Sequence, residues 1–145
     1  MKNNREFGYF GESVACDYLK KNGYKIAARN YYAVGGELDA VVYDDKNLIF
    51  VEVKTRYNGQ SLRCGRPAAA VDYRKQSAVS AAAKQYLFDH PTTLGPRIDV
   101  IEVLVSTVTD ESGGLWYIID SVNHIQNAVL SSAKTRFGSP DRRLL

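Results

Sequence analysis

Long hydrophobic runs are missing from this chain: none exceeds six residues, against the roughly 20 that a bilayer-spanning helix requires. The opening MKNNREF has no apolar stretch that could serve as a secretory signal core. The expectation is a cytoplasmic protein that does not engage a membrane. Cysteine is just as sparse, with Cys16 and Cys64 only. Two thiols that form neither a CxxC nor a disulfide framework read as free thiols in a reducing compartment. His90 and His124 are the only histidines; standing apart, with no HExxH and no Cys/His cluster, they offer no zinc site. Gly35-Gly36 and Gly113-Gly114 open neither a GxGxxG nor a phosphate loop and read as turn glycines. No internal repeat is visible.

What is present is ordinary globular composition. At 145 residues, 45% hydrophobic and 24% charged, the chain fits one domain with a sizeable core, and its composition suggests neither disorder nor a fibrous architecture. The reading is a single domain over residues 1–130 and a basic, polar, mobile tail over 131–145. A net charge of +3 says little, but its distribution says more. Arg56, Arg63, Arg66, Arg74 and Lys75 face only Asp72 between them, and the tail carries Lys134, Arg136, Arg142 and Arg143 against Asp141. Such clusters are what phosphate contacts require, although a solvated basic surface has the same appearance.

Periodicity orders the elements. Phe7, Phe10, Val14, Tyr18 and Leu19 recur at helical spacing over residues 5–22, and Gly23 stands at the stop. A strand is predicted over 24–31. Segments 37–43 and 48–55 are rich in β-branched and aromatic residues and flank the turn signal Asp44-Asp45-Lys46-Asn47, so they make a hairpin. Pro67 can open an alanine-rich helix reaching about Phe88, ended by His90-Pro91. Strands over 97–108 and 115–120 follow, with a short helix around 122–130. The order is α-β-β-β-α-β-β-α.

The hairpin carries the chemistry. Counting outward from a four-residue turn sets Tyr43 opposite Leu48, Val41 opposite Phe50, Asp39 opposite Glu52 and Glu37 opposite Lys54. Side chains alternate, so Glu37, Asp39, Glu52 and Lys54 share a face with Val41, Tyr43, Leu48 and Phe50, while Leu38, Ala40, Val42, Ile49, Val51 and Val53 face the core. Carboxylates directly opposed across a sheet repel unless a cation bridges them. Lys54 can supply part of that charge, and a hard metal ion suits two carboxylates, a backbone carbonyl and waters better. The plainer alternative is a solvated face with a Glu37–Lys54 pair; the four apolar neighbours on that face argue against full exposure.

Asp39, followed thirteen positions on by Glu52-Val53-Lys54, resembles the PD-(D/E)xK nuclease signature in its D…ExK form. More closely, the chain is similar to the YraN family of bacterial proteins, described as candidate endonucleases and related in fold to archaeal Holliday junction resolvases. The similarity covers about residues 8–127. It runs through Gly8-Tyr9-Phe10-Gly11-Glu12, Asn30, Gly36-Glu37-Leu38-Asp39, Phe50-Val51-Glu52-Val53-Lys54-Thr55-Arg56, Gly65-Arg66-Pro67, Lys75 and Arg97-Ile98-Asp99. D…ExK alone is a weak signal; the ordered series is strong. Two positions depart from the pattern: Arg63-Cys64 precedes Gly65 where an aromatic is expected, and Ile98 stands in place of the usual aromatic.

The resemblance implies a restriction-endonuclease-like three-layer α/β core, a mixed central β-sheet flanked by helices. It also implies Mg2+- or Mn2+-dependent hydrolysis of phosphodiester bonds, with nucleic acid, DNA and branched DNA foremost, as partner. Asp39, Glu52 and the Val53 carbonyl would be metal ligands, Lys54 would position or deprotonate the attacking water, and Glu12 would be an extra acidic residue. Glu12 also lies at the border of the apolar stripe of its helix, where an ordinary boundary glutamate would lie too. Arg56, Arg63 and Arg66 read as phosphate contacts. Lys75, inside a helical stripe, either snorkels to water or reaches toward substrate phosphate or the metal-site carboxylates. Arg97 and Asp99 read as a structural ion pair, and most of the ten tyrosines read as core. Resolvase-like action would call for a homodimer. The rival reading is a non-catalytic nucleic-acid-binding module of the same fold, and a weaker third is a scaffold whose basic tail docks an acidic partner.

Overall fold

Asp44 sets the register of the central hairpin. Its Oδ1 accepts the N–H of Lys46 at 2.9 Å and of Asn47 at 2.8 Å, while its own N–H donates to the Asn47 carbonyl at 3.0 Å. A side chain that ties up its own turn in this way leaves one length of loop and one pairing. In the computed structural model, which describes residues 4–58 and 73–128, β2 (Gly36–Tyr43) and β3 (Asn47–Tyr57) are antiparallel. Tyr43 lies opposite Leu48, Val41 opposite Phe50 and Ala40 opposite Val51, the predicted register.

Around this hairpin runs a five-stranded sheet in the order β1-β2-β3-β4-β5. β1 (Lys25–Ala33) is antiparallel to β2, β4 (Gly95–Thr109) is parallel to β3, and β5 (Leu115–Ile125) is antiparallel to β4. The parallel β3/β4 pair needs a crossover, which contains α2 (Tyr73–Asp89). Helix α1 (Asn4–Lys21) ends in a Schellman motif: Tyr24 N–H bonds to the Leu19 carbonyl and Gly23 N–H to that of Lys20, both at 3.1 Å, with Gly23 at φ 93°. Asn30, inside β1, is also left-handed at φ 52°, a conformation asparagine tolerates better than most residues.

The two helices cover opposite faces. On the α1 side Ala15, Cys16 and Leu19 pack on Ala40, Val42, Ile49, Val51, Ile101, Val103 and Val105. On the α2 side Val79, Ala82, Ala83 and Tyr86 pack on Val41, Leu48, Phe50, Ile98 and Val100. The result is the three-layer α/β arrangement with a mixed sheet. Each large apolar side chain buried there contributes about 1.5–3 kcal/mol. Cys16 is a free, buried thiol, and burial pushes its pKa up. Among the described residues no helix is long and apolar enough to cross a membrane.

Three expectations change. Residues 122–125 continue β5, with Val122 opposite Val103 and His124 opposite Ile101, so no helix begins there; 129 and 130 lie outside the described residues. The backbone of β4 needs a partner along its outer side, and the longer strand supplies it. His124 is not isolated: its Nε2 meets Oδ2 of the fully buried Asp99 at 2.7 Å and its Nδ1 meets Tyr18 OH at 3.0 Å. Arg97 grips the same carboxylate with Nε at 2.9 Å and Nη2 at 2.8 Å, and the Asn127 N–H adds a bond at 2.8 Å. Burial alone would raise the Asp99 pKa; these donors outweigh it and hold it below the ordinary 3.8. The third change is at Leu38, which joins the α2 side although Ala40 and Val42 face α1. Strict alternation therefore breaks around Asp39. Arg63, Cys64, Arg66, the Pro67 helix start, the side chain of Lys75 and the tail at 131–145 lie outside the described residues.

Gly36 lets α2 sit on β2, because a Cβ there would lie 2.0 Å from the Ala78 carbonyl oxygen. Gly36→Ala should lower stability by about 1–3 kcal/mol, read as a lower denaturant midpoint. Gly8→Ala, whose methyl meets nothing within 4 Å, should be neutral or stabilise by up to about 1 kcal/mol.

Candidate functional site

Beyond the Ala40–Val51 pair the sheet forks. β2 stays with β1, placing Leu38 opposite Tyr31 and Glu37 opposite Tyr32, while β3 stays with β4, placing Glu52 opposite Val100 and Lys54 opposite Glu102. At the base of the fork Asp39 Oδ2 accepts the Val53 N–H at 2.7 Å, so a side chain takes the place of a ladder bond. The break in alternation at Asp39 follows, since the strand must turn to offer this carboxylate to β3. Glu37 consequently does not pair with Lys54 across the hairpin; it is exposed on the β1 side.

Helix α1 closes one side of the fork. At Gly11 it approaches so closely that a Cβ would lie 1.7 Å from Thr55 Oγ1, and the next residue, Glu12, overhangs the opening. Glu12 is hydrogen-bonded to Asp39, and its Oε1 is buried with no hydrogen-bond partner. Burial first, then the charge and hydrogen bond of Asp39 and the charge of Glu37, push the Glu12 pKa from 4.5 to about 7, with Arg29 opposing. Arg29 also reaches α1, donating from Nη2 to Ser13 Oγ at 3.4 Å. Two carboxyl groups held this close do not both ionise freely, so burial and the Asp39 charge favour the protonated form of Glu12.

Alternation along β3 puts Glu52, Lys54 and Arg56 on the other face, after Leu48 and Phe50. Glu52 is 5% exposed and Glu102, beside Lys54 on β4, is 6% exposed. Arg56 Nε stands 3.9 Å from Glu102 Oε2, which has no hydrogen bond. Glu102 was missed by sequence reasoning, although an acid at an inward position of the apolar strand RIDVIEVLV was the available signal.

The structure thus brings Glu12 onto Asp39, joins Asp39 to the Val53 backbone, and sets Glu52, Lys54 and Arg56 in a row on one strand. Among the described residues no three His, Cys, Asp or Glu side chains are grouped so as to enclose a metal ion. A hard cation such as Mg2+ does not require such a cage, because one or two carboxylates and several waters suffice. The donor chemistry fits: a carboxylate pair that repels itself, one of its oxygens buried and unpartnered.

Residues 11–103, the span from Glu12's neighbour through the fork and most of β4, match the model of a family described as Uncharacterised protein family UPF0102. The chain belongs to this family. A UPF0102 protein of Syntrophomonas wolfei subsp. wolfei (strain DSM 2245B / Goettingen) is 44% identical over 127 residues, covering 86% of this chain and 98% of that protein. A UPF0102 protein of Clostridium botulinum (strain 657 / Type Ba4) is 37% identical over 107 residues, covering 72% and 85%. The YraN-like similarity drawn from the motifs agrees with this membership. Every acidic and basic residue of the fork lies inside the span of the UPF0102 match.

The raised Glu12 pKa sets a pH dependence for this UPF0102 chain. Between pH 4.5 and about 7 the folded state keeps a proton that the unfolded chain has lost, so stability falls as pH rises across that window. Glu12→Gln should remove this slope. Melting temperatures taken at steps from pH 4.5 to 7.5 check it, the expected outcome being a flatter profile in the variant and a higher melting point at the alkaline end.

Proposed function

We propose that this UPF0102 protein hydrolyses phosphodiester bonds in nucleic acid, DNA foremost, with Mg2+ or Mn2+ bound at the fork. The observation that carries the reading is the Glu12–Asp39 carboxylate pair at the point where β2 and β3 part, beside Glu52-Val53-Lys54. A divalent cation bound there would polarise a phosphoryl oxygen and lower the pKa of a coordinated water.

Asp39 and Glu12 would hold the cation, with the Val53 carbonyl as a further oxygen donor; Glu52, which starts on the α2 face of β3, would join them by turning into the open fork. Asp39 is pre-aimed by the Val53 N–H, which spares the cost of ordering that side chain on binding. Glu12, whose protonated form is favoured by burial and by Asp39, would lose its proton on binding a cation. Lys54 offers its ammonium to the attacking water and to the charge that builds on the phosphoryl oxygens. Arg56, steadied by Glu102 at the end of the row, would take a neighbouring phosphate, with Arg63, Arg66 and Lys75 adding positive charge in the following sequence. Branched DNA is the substrate class best suited to this reading, in which a twofold pair of copies would cut two strands.

A panel of labelled linear, nicked and branched DNA and RNA, with Mg2+, Mn2+ or chelator, tests it. Metal-dependent cutting should fall on the order of 10²-fold or more in Asp39→Asn, Glu52→Gln and Lys54→Ala while binding persists. Mg2+ should also raise the melting temperature of the native chain and leave that of Asp39→Asn unchanged. Binding without cutting under every metal condition would replace this reading with a non-catalytic module. Arg56→Ala should weaken binding to all substrates alike and reduce the slope of log affinity against log salt by about 1.

A further inference from the structure

Among the described residues strand β5 is an edge of the sheet, and an edge strand presents unpaired N–H and C=O groups to any strand that approaches. Natural edges are usually guarded by charge, proline or brevity. This one is 11 residues long, LWYIIDSVNHI, with no proline and Asp120 as its one Asp, Glu, Lys or Arg. That charge is turned back onto its own sheet, where its Oδ2 accepts hydrogen bonds from Asn58 Nδ2 at 2.8 Å and from Ser106 Oγ. The apolar side chains beside it are open: Val108, Leu115, Trp116, Ile118 and Ile119 are between 43% and 59% exposed.

Both faces of the edge are involved. Tyr117 packs against Phe7 and Phe10 of α1, so alternation places Leu115 and Ile119 on that side. Trp116 and Ile118 lie on the other, with Trp116 opposite Val108 on β4. Trp116 is exposed yet fixed. Asp110 Oδ2 accepts its indole N–H at 2.7 Å, while Asp110 Oδ1 accepts the N–H groups of Ser112 at 2.9 Å and Gly114 at 2.7 Å. A tryptophan with its polar atom satisfied and its ring held still loses little entropy on being covered, as interface anchors require.

We infer that this protein pairs with a second copy of itself through the free edge of β5, the two Leu115–Ile119 segments running antiparallel about a twofold axis near Tyr117. In that register Trp116 faces Ile118 of the second copy and Leu115 faces its Ile119, apolar against apolar on both faces, with Asp120 outside the paired segment. The segment is therefore complementary to itself, and it offers no charge that would select an acidic or basic peptide instead. Its four exposed apolar side chains, with Val108 of β4 beside them, present on the order of 400 Å² of apolar surface per copy, the size of patches that are often functional. Two copies with their strand edges reach roughly 1,000 Å², the lower bound for a specific interface. The pairing is independent of the chemistry proposed for the fork.

Trp116 is the only tryptophan, so its fluorescence reports on this surface alone. Sedimentation of the full chain and tryptophan emission, both followed across micromolar to submillimolar concentration, should show a dimer forming as emission moves to shorter wavelength. Ile118→Lys and Leu115→Glu, on opposite faces of the edge and both exposed in the single copy, should each raise the dimer dissociation constant at least tenfold and abolish the emission change, with circular dichroism unaltered. Three results would overturn the inference: a monomer at every concentration with emission typical of exposed indole, a monomer whose emission is already at short wavelength on dilution, or a dimer that persists in both variants.

Discussion

The N–H of Val53 bonds to a side chain, the Asp39 carboxylate, and not to the backbone of β2. From that one bond the forked half of the molecule follows. Because Asp39 must reach across to β3, β2 turns away after Ala40, its alternation breaks, and Leu38 swings to the α2 layer. The opening so made is stable because each arm keeps a partner, β1 on one side and β4 on the other.

The helices are fitted to the same opening by small residues. Gly11 brings α1 down onto Thr55, and Gly36 brings β2 up against the backbone of α2 at Ala78. Glu12 follows Gly11 directly, so the close approach that packs the helix also carries a carboxyl onto Asp39. Farther along, α1 is tied to the sheet by Tyr18, His124 and the buried Asp99. Taking Asp99 out of water is costly, and that cost is offset only because Arg97, His124 and the Asn127 N–H all converge on it. This buried network lies on the α1 side, next to the cluster that seats the helix, and is structural, as the Arg97–Asp99 pair suggested.

Much of the architecture was legible in the chain itself. The Asp44 turn and the flanking β-branched runs specify the hairpin and its register, since a period-2 pattern with one face buried tolerates no slip. Gly23 marks the end of α1, and His90-Pro91 the end of α2. Where the reading failed, the competing principle is identifiable. A short run such as Val122–Ile125 is compatible with helix or strand by pattern alone, and the need of β4 for a partner decided it. His124 looked isolated because its partners, Asp99 and Tyr18, are 25 and 106 residues away.

The candidate site divides along the same line. Residue types and spacing were enough to single out Asp39, Glu52 and Lys54, because acids and a lysine at half-buried positions stand out against an apolar pattern, whereas Glu12 came from the family resemblance. Which of them touch was a tertiary matter. Strict alternation put Asp39 and Glu52 on one face, whereas the fork turns Asp39 toward α1 and Glu12 and leaves Glu52 and Lys54 in line with Phe50. It also brought Glu102 beside Lys54, through a parallel pairing that no local pattern encodes. Local propensity and periodicity act over a few residues and so determined the elements, their register and the chemical types on offer. The meeting of Glu12 with Asp39, and of His124 with Asp99, depends on long-range packing and the balance of desolvation against hydrogen bonding, which only the folded arrangement decides.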